Sequence, residues 1–181
     1  MENKDELIYI KRILEGETNL FSYFLQRYSN SVFSMIVRIV QSREDAEELT
    51  QDTFLKVFKK LDTFKGDCTF STWLFRIAYN TAVSFTRKKK IILPAIEDSM
   101  LDTVPDDALT GFFEEDENEK RLQDLEKAIA LLNAEEKALI TLFYLEAKTV
   151  NELAVIFDLT IENVRVKLFR ARKKLFVLMT K

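Results

Sequence analysis

The stretch from Ile161 to Lys181 sets seven basic side chains against one acid, Glu162, while Ile161, Val164, Leu168, Ala171 and Leu175 keep helical spacing. Cations on one face of a helix suit polyanion binding: lysines neutralise phosphates, and guanidinium groups make paired hydrogen bonds to guanine edges. Just upstream, a short helix with Leu153, Ala154 and Ile156 meets a tight turn at Phe157, Asp158 and Leu159. Together these form a helix-turn-helix pattern, in which apolar positions pin two helices and the second offers a polar face to the major groove. The candidate duplex-DNA contacts are Thr160, Glu162, Asn163, Arg165, Val166, Lys167, Phe169, Arg170 and Lys173, with Arg172 beside them. A solvated basic helix is the plainer explanation of a charge run, but it does not account for cap, turn and pinning residues occurring together.

A second cluster interleaves aromatic and basic groups: Phe64, Lys65, Phe70, Trp73, Phe75, Arg76, Tyr79 and Phe85, then Arg87 and three lysines. Unpaired bases stack on aromatic faces while cations follow the backbone, so this mixture suits single-stranded DNA. Trp73, Leu74, Ile77, Ala78 and Thr81 also have core spacing, so packing competes with stacking as the role of Trp73. The Asn80 amide could read a base edge or bond the backbone. A third group, Asp45, Glu47, Glu48, Gln51 and Asp52, lies opposite an apolar stripe. Carboxylates at this spacing can serve acid-base catalysis or a hard cation. No second ligand helix or pocket is indicated nearby, which leaves a protein-binding face or plain solvation.

Most other chemistry is excluded by composition. The 181 residues include no histidine and one cysteine, Cys68, so there is no histidine-based nucleophile, no intramolecular disulfide and no thiolate zinc site of the usual kind. The three glycines, at 16, 66 and 111, are too dispersed for a phosphate-cradling loop. No cofactor, no metal and no small-molecule substrate is therefore expected, and the chain is not expected to be an enzyme. The longest uncharged apolar run, Ala138 to Leu145, is far short of the roughly 20 residues a bilayer helix needs, and the acidic N-terminus lacks a signal-peptide pattern. A cytoplasmic protein without membrane insertion is expected.

Scarce glycine and two prolines argue for helices to hold these groups. Apolar periodicity predicts a helix over roughly Leu20–Ile39 and, from a capping-box sequence at Ser42–Asp45, another over about 43–60. A cap at Ser71 or Thr72 starts a third that runs through Arg87. Further starts fall near 116 and at Asn133, Thr149 and Thr160. Residues 1–90 carry 15 basic and 12 acidic side chains, 91–120 carry 1 and 10, and 121–181 carry 11 and 8. Both prolines, Pro94 and Pro105, fall in 91–115, which reads as an acidic linker. The expected architecture is all-α: two small helical domains, 1–90 and 116–181, joined by that linker, with the helix-turn-helix in the second.

Taken together, the residues resemble the extracytoplasmic-function group of bacterial RNA polymerase sigma factors over nearly the whole chain. In the first domain the likeness rests on Asp45-Ala46-Glu47-Glu48-Leu49-Thr50-Gln51-Asp52-Thr53-Phe54 and on Phe70-Ser71-Thr72-Trp73-Leu74-Phe75-Arg76-Ile77-Ala78-Tyr79-Asn80. In the second it rests on Asn151-Glu152-Leu153-Ala154 and on Asn163 through Arg172. The resemblance implies that Asp45, Glu48, Gln51 and Asp52 bind core RNA polymerase. It implies that the loop before Phe70, with Phe64, Lys65, Cys68, Phe70, Trp73, Arg76, Asn80 and Arg87, engages the minus-ten element of promoter DNA. The second domain would read the minus-thirty-five element as duplex. The linker would thread the core enzyme, and an anti-sigma factor on a separate chain would be a further partner. Ser84 stands where this family often has Asp, Asp158 where it often has Gly, and Val166 where a small polar residue is common. A helix-turn-helix regulator that works without polymerase is the alternative reading.

Overall fold

The computed structural model describes residues 2–89, 104–105 and 119–180. Helices α1 (Glu2–Leu14), α2 (Phe21–Val40), α3 (Arg43–Lys59) and α4 (Phe70–Lys89) build the first domain. Helices α5 (Glu119–Ala130), α6 (Ala134–Ile140), α7 (Val150–Phe157) and α8 (Ile161–Thr180) build the second, and no strand occurs among the described residues. The linker expected at 91–115 lies outside the described residues, apart from Val104 and Pro105.

The helix starts follow local hydrogen bonding. Asn133 and Glu136 form a reciprocal capping box at α6, and Thr149 and Glu152 form another at α7. At α3 only half of the expected box exists. Ser42 Oγ accepts the Asp45 N–H at 3.3 Å, but the Asp45 carboxylate turns instead to Lys89 Nζ at 2.7 Å. Helix α4 begins before the expected cap, because Thr69 Oγ1 accepts the Thr72 N–H at 3.2 Å and Phe70 is already helical. The sequence pattern does not announce the end of α6, which widens into a π-type turn over Thr141–Leu145. Ala147 then takes φ 48°, and the Lys148 N–H closes the turn on the Leu142 carbonyl at 2.9 Å.

In the first domain α2 packs against both α3 and α4, burying Phe24, Val32, Met35, Ile36, Val57, Leu74 and Ala78. In the second, α8 packs on α5, α6 and α7 around Leu139, Leu142, Leu153, Val164, Leu168 and Ala171. The two cores are continuous, since α6 lies against α2 and α7 against α4. A fully buried Phe such as Phe24 contributes about 1.5–3 kcal/mol over an exposed one, so this shared core carries the fold.

Lys137 is the anomaly in that core. Its side chain is fully buried on α6 with no hydrogen-bond partner for Nζ, and Thr141 Oγ1, one turn further on, is also buried and unpartnered. Burial pushes the Lys137 amine down to about 8 from an ordinary 10.5. The folded state thus binds fewer protons than the unfolded state between those values, and stability rises with pH across the window. Keeping the ammonium charged costs about 3 kcal/mol below pH 8, a cost that fades towards pH 10.5. Lys137→Met should therefore raise stability at pH 7, and its advantage over wild type should shrink between pH 8 and 10. Urea unfolding at several pH values checks this; an advantage that stays constant with pH would contradict it.

Candidate nucleic-acid interface

The helix-turn-helix is closed by backbone geometry at Asp158, whose φ of 57° and ψ of 48° place it in the left-handed region that ends α7. Aspartate tolerates this conformation better than most residues, which is how the turn survives without glycine. The Leu159 N–H bonds the Ala154 carbonyl at 3.0 Å, and Thr160 Oγ1 accepts the Asn163 N–H at 3.2 Å, starting α8. Leu153, Ile156 and Phe157 of α7 and Val164 and Leu168 of α8 are buried, as expected of pinning residues.

With about 100° of rotation per residue, Val166 points directly away from Val164 and Leu168. Glu162, Asn163, Phe169, Arg170 and Lys173 fall within about 60° of that outward line. Arg165 is exposed but lies about 100° off it, closer to where groove walls would run. Lys167 departs from expectation: it is half-buried, and its Nζ donates to Glu135 Oε2 of α6 at 2.7 Å. Arg172 likewise lies over the Phe143 and Tyr144 rings at 5.4 and 5.5 Å. Lys167 sits on the flank of α8 that faces α6 and Arg172 on the opposite flank, over the π-type turn, so the two fasten α8 to its scaffold from both sides. Thr160 is exposed, with its hydroxyl committed to the cap.

In the first domain Arg76, Asn80 and Arg87 are exposed and fall within about 40° of one line along α4, a stripe of two cations and an amide. Lys65 is exposed in the preceding loop, and Cys68 is half-buried there, its thiol pushed up by burial and then by Asp67. Phe70 does not fit a base-stacking role. It is fully buried, 4.3 Å from the Phe24 ring and within 6 Å of Phe64 and Trp73, so it is a core residue. Its inward position is what orients half-buried Phe64 and Trp73, whose centroids are 5.3 Å apart.

On α3, Glu48 and Gln51 are exposed and Asp52 pairs with Lys56 at 2.7 Å. The Asp45 carboxyl is held below its ordinary value by Lys89 and then by Ser42. This charged face also has an apolar member. Leu55 is 59% exposed and lies within about 60° of Glu48, Gln51 and Asp52 around the helix. Among the described residues no group of three or more acidic or cysteine side chains could hold a metal ion.

The two domains meet at the N-termini of α4 and α7. Lys148 Nζ donates to Ser71 Oγ at 2.6 Å and to Glu152 Oε1 at 3.1 Å, and the Thr72 hydroxyl donates to the same Glu152 oxygen at 3.0 Å. Burial pushes the Glu152 carboxyl up, but the Thr149 N–H and the Lys148 ammonium outweigh it and carry it down to about 2. Beside this node, Tyr79 packs edge-on to Phe157 at 4.5 Å, and Arg76 lies 3.7 Å from the Asp158 carboxylate.

The family model for Sigma-70 region 2 matches residues 24–91, and that for Sigma-70, region 4 matches residues 122–175. The ECF RNA polymerase sigma-E factor of Haemophilus influenzae is 32% identical over 171 residues, covering 91% of this chain and 89% of that protein. The chain belongs to the extracytoplasmic-function (ECF) group of RNA polymerase sigma factors. The ECF sigma-E factor of Escherichia coli K12 is 30% identical over 184 residues, covering 95% of this chain and 93% of the relative. Among solved structures, CnrH in complex with the cytosolic domain of CnrY shares the fold with a TM-score of 0.69, at 21% identity and 96% coverage of each chain. The sigma factor RpoE in complex with the anti-sigma factor NepR from Bartonella quintana does so with a TM-score of 0.67, at 23% identity over 88% of this chain and 96% of that one.

As an ECF sigma factor, the chain directs core RNA polymerase to promoters and promotes their opening. Arg76 of the α4 stripe pairs with Asp158 in the turn of the helix-turn-helix at 3.7 Å, so the seam reaches the α4 stripe. Lys148→Met should remove the ammonium at Glu152 and weaken the seam by about 1–3 kcal/mol. Hydrogen exchange should then quicken at the first turns of α4 and α7 while the amides of α2 stay protected. Unchanged exchange at both turns would show that the node does not hold the domains together.

Proposed function

We propose that the surfaces described above divide the work of this sigma factor as follows. The first domain, residues 1–90, docks core polymerase on the α3 face formed by Asp45, Glu48, Gln51 and Asp52, with Leu55 as its apolar centre. Its loop and α4 stripe, with Lys65, Cys68, Phe64, Trp73, Arg76, Asn80 and Arg87, hold the minus-ten element as it opens. Residues 91–115 link it to the second domain, 116–181, whose α8 reads the minus-thirty-five duplex. The observation that carries this division is the alignment of Arg76, Asn80 and Arg87 on one side of α4 together with the polar outward stripe of α8, two nucleic-acid faces on separate domains.

The chain contributes binding and the polymerase contributes the chemistry, so it acts as an initiation factor without catalysing a reaction. It works in the cytoplasm, in keeping with the finding that no described helix is long and apolar enough to cross a membrane. A separate anti-sigma factor is a further partner, supported by the two fold relatives whose structures were solved as complexes, one of them named as an anti-sigma complex.

Promoter spacing requires the domains to part. About 25 base pairs at about 3.4 Å each separate the two elements by roughly 85 Å of duplex. A 29-residue stretch, the length from 90 to 118, reaches at most about 100 Å when extended. Engagement of both elements is thus within reach only with the seam undone.

Promoter-dependent run-off transcription with purified core polymerase tests the division. Wild type should yield discrete starts. Reversing charge at Glu48 and Asp52, or changing Leu55 to Ser, should abolish core binding with melting temperature nearly unchanged, because exposed groups contribute little to stability. Binding to promoter duplex without any initiation would instead identify a polymerase-independent regulator. A double variant that still competes fully for core polymerase would remove the α3 face from the scheme.

A further inference from the structure

We propose that Val166 reads the 5-methyl group of a thymine in the minus-thirty-five element, which makes it a specificity-determining residue of this sigma factor. The inference rests on the role given above to the second domain. Val166 is 50% exposed and occupies the outermost line of α8, directly opposite buried Val164 and Leu168. Its neighbours one turn before and after on that line are Glu162 and Arg170, both exposed. An exposed helical site with no contact to satisfy favours a long polar residue, since a β-branched side chain loses rotamer freedom against the preceding turn. Single surface valines such as Val155 on α7, 39% exposed, are ordinary. Val166 differs in standing at the centre of the face that meets the groove.

A valine there has no hydrogen bond to offer. In the major groove the base edges present donors and acceptors, and the one apolar group among them is the thymine methyl. The flanking side chains extend the same logic: Glu162 can accept from a cytosine amino group, and Arg170 can donate to guanine O6 and N7. Four residues of helix advance about 6 Å, close to two base-pair steps, so three adjacent chemistries lie along one helix face. Acid, apolar and guanidinium groups in that order select an amino group, a methyl group and a guanine edge in turn.

The test uses the full chain assembled with core polymerase on a promoter located by start-site mapping. Each thymine of the minus-thirty-five element is replaced in turn by uracil, which removes the methyl and leaves pairing intact. Wild type should lose about three- to fourfold in affinity at one position, the worth of one buried methyl group. Val166→Ser should be indifferent to that same replacement. With cytosine placed there, 5-methylcytosine should restore part of the affinity for wild type and none for the variant. Indifference of wild type at every thymine, or equal sensitivity in Val166→Ser, overturns the proposal while leaving the second domain as a promoter reader. If scrambling the whole element leaves wild-type binding unchanged, the reading of the second domain itself falls, and this proposal falls with it.

Discussion

Two helix N-termini, those of α4 and α7, are tied to each other through Lys148, and most of the molecule's geometry depends on that knot. Each terminus presents backbone N–H groups that need acceptors. Thr69 supplies one for α4, and Thr149 and Glu152 supply them for α7. Glu152 is shared: one oxygen receives the Thr149 N–H while the other receives Thr72 and Lys148. The side chain that starts the helix-turn-helix thereby also holds it to α4, the helix that carries the Arg76, Asn80 and Arg87 stripe. Local folding and domain docking draw on one carboxylate, so a change there alters both.

The same double use governs the cations of α8. A basic helix suggests that every positive charge meets DNA, yet Lys167 and Lys174 bond Glu135 and Glu136 of α6, and Arg172 covers Phe143 and Tyr144. Glu135 and Glu136 sit in the first turn of α6, where negative charge is favoured by the helix dipole. Their lysine partners therefore join an already stabilised site. This fixes the rotation of α8 about its axis and leaves Glu162, Val166 and Arg170 pointing outward. Orientation of the outward face is set by the cations that turn away from it towards α6 and the π-type turn.

Much of this was legible in the sequence because the signals are local. The capping boxes at Asn133 and Thr149, the period of α2 and the turn at Asp158 each involve residues within a few positions, where propensity and hydrogen bonding decide. What escaped involves partners far apart in the chain. Lys148 and Ser71 are 77 residues apart, and nothing in either segment announces the other. Composition cannot say which way a ring at a helix start points, and for Phe70 it is the Phe24 ring 4.3 Å away that turns it inward. Leu55 carries no charge to mark it as part of the α3 face, and only its exposure in the folded chain does so. Nothing in a helical pattern marks a lysine as buried, so the burial of Lys137 shows only in the packed structure.

Asp158 shows how such long-range facts change the meaning of a local one. As a turn residue it is a tolerated replacement for glycine in the left-handed region. In the folded chain its carboxylate also faces Arg76, at 3.7 Å, with side-chain exposures of 87% and 44%. A pair that exposed contributes at most about 1 kcal/mol, so it cannot by itself keep Arg76 from DNA. The heavier contributions come from the Lys148–Glu152 node, about 1–3 kcal/mol, and from Tyr79 against Phe157, about 0.5–1.5 kcal/mol. That balance has a functional consequence. Under the division of work proposed above, a seam much stronger than the promoter contacts would hold the two faces together and bar a duplex in which their targets lie roughly 85 Å apart. A seam held by one half-buried carboxylate, one aromatic contact and one exposed pair is of a strength that polymerase and promoter binding together can overcome.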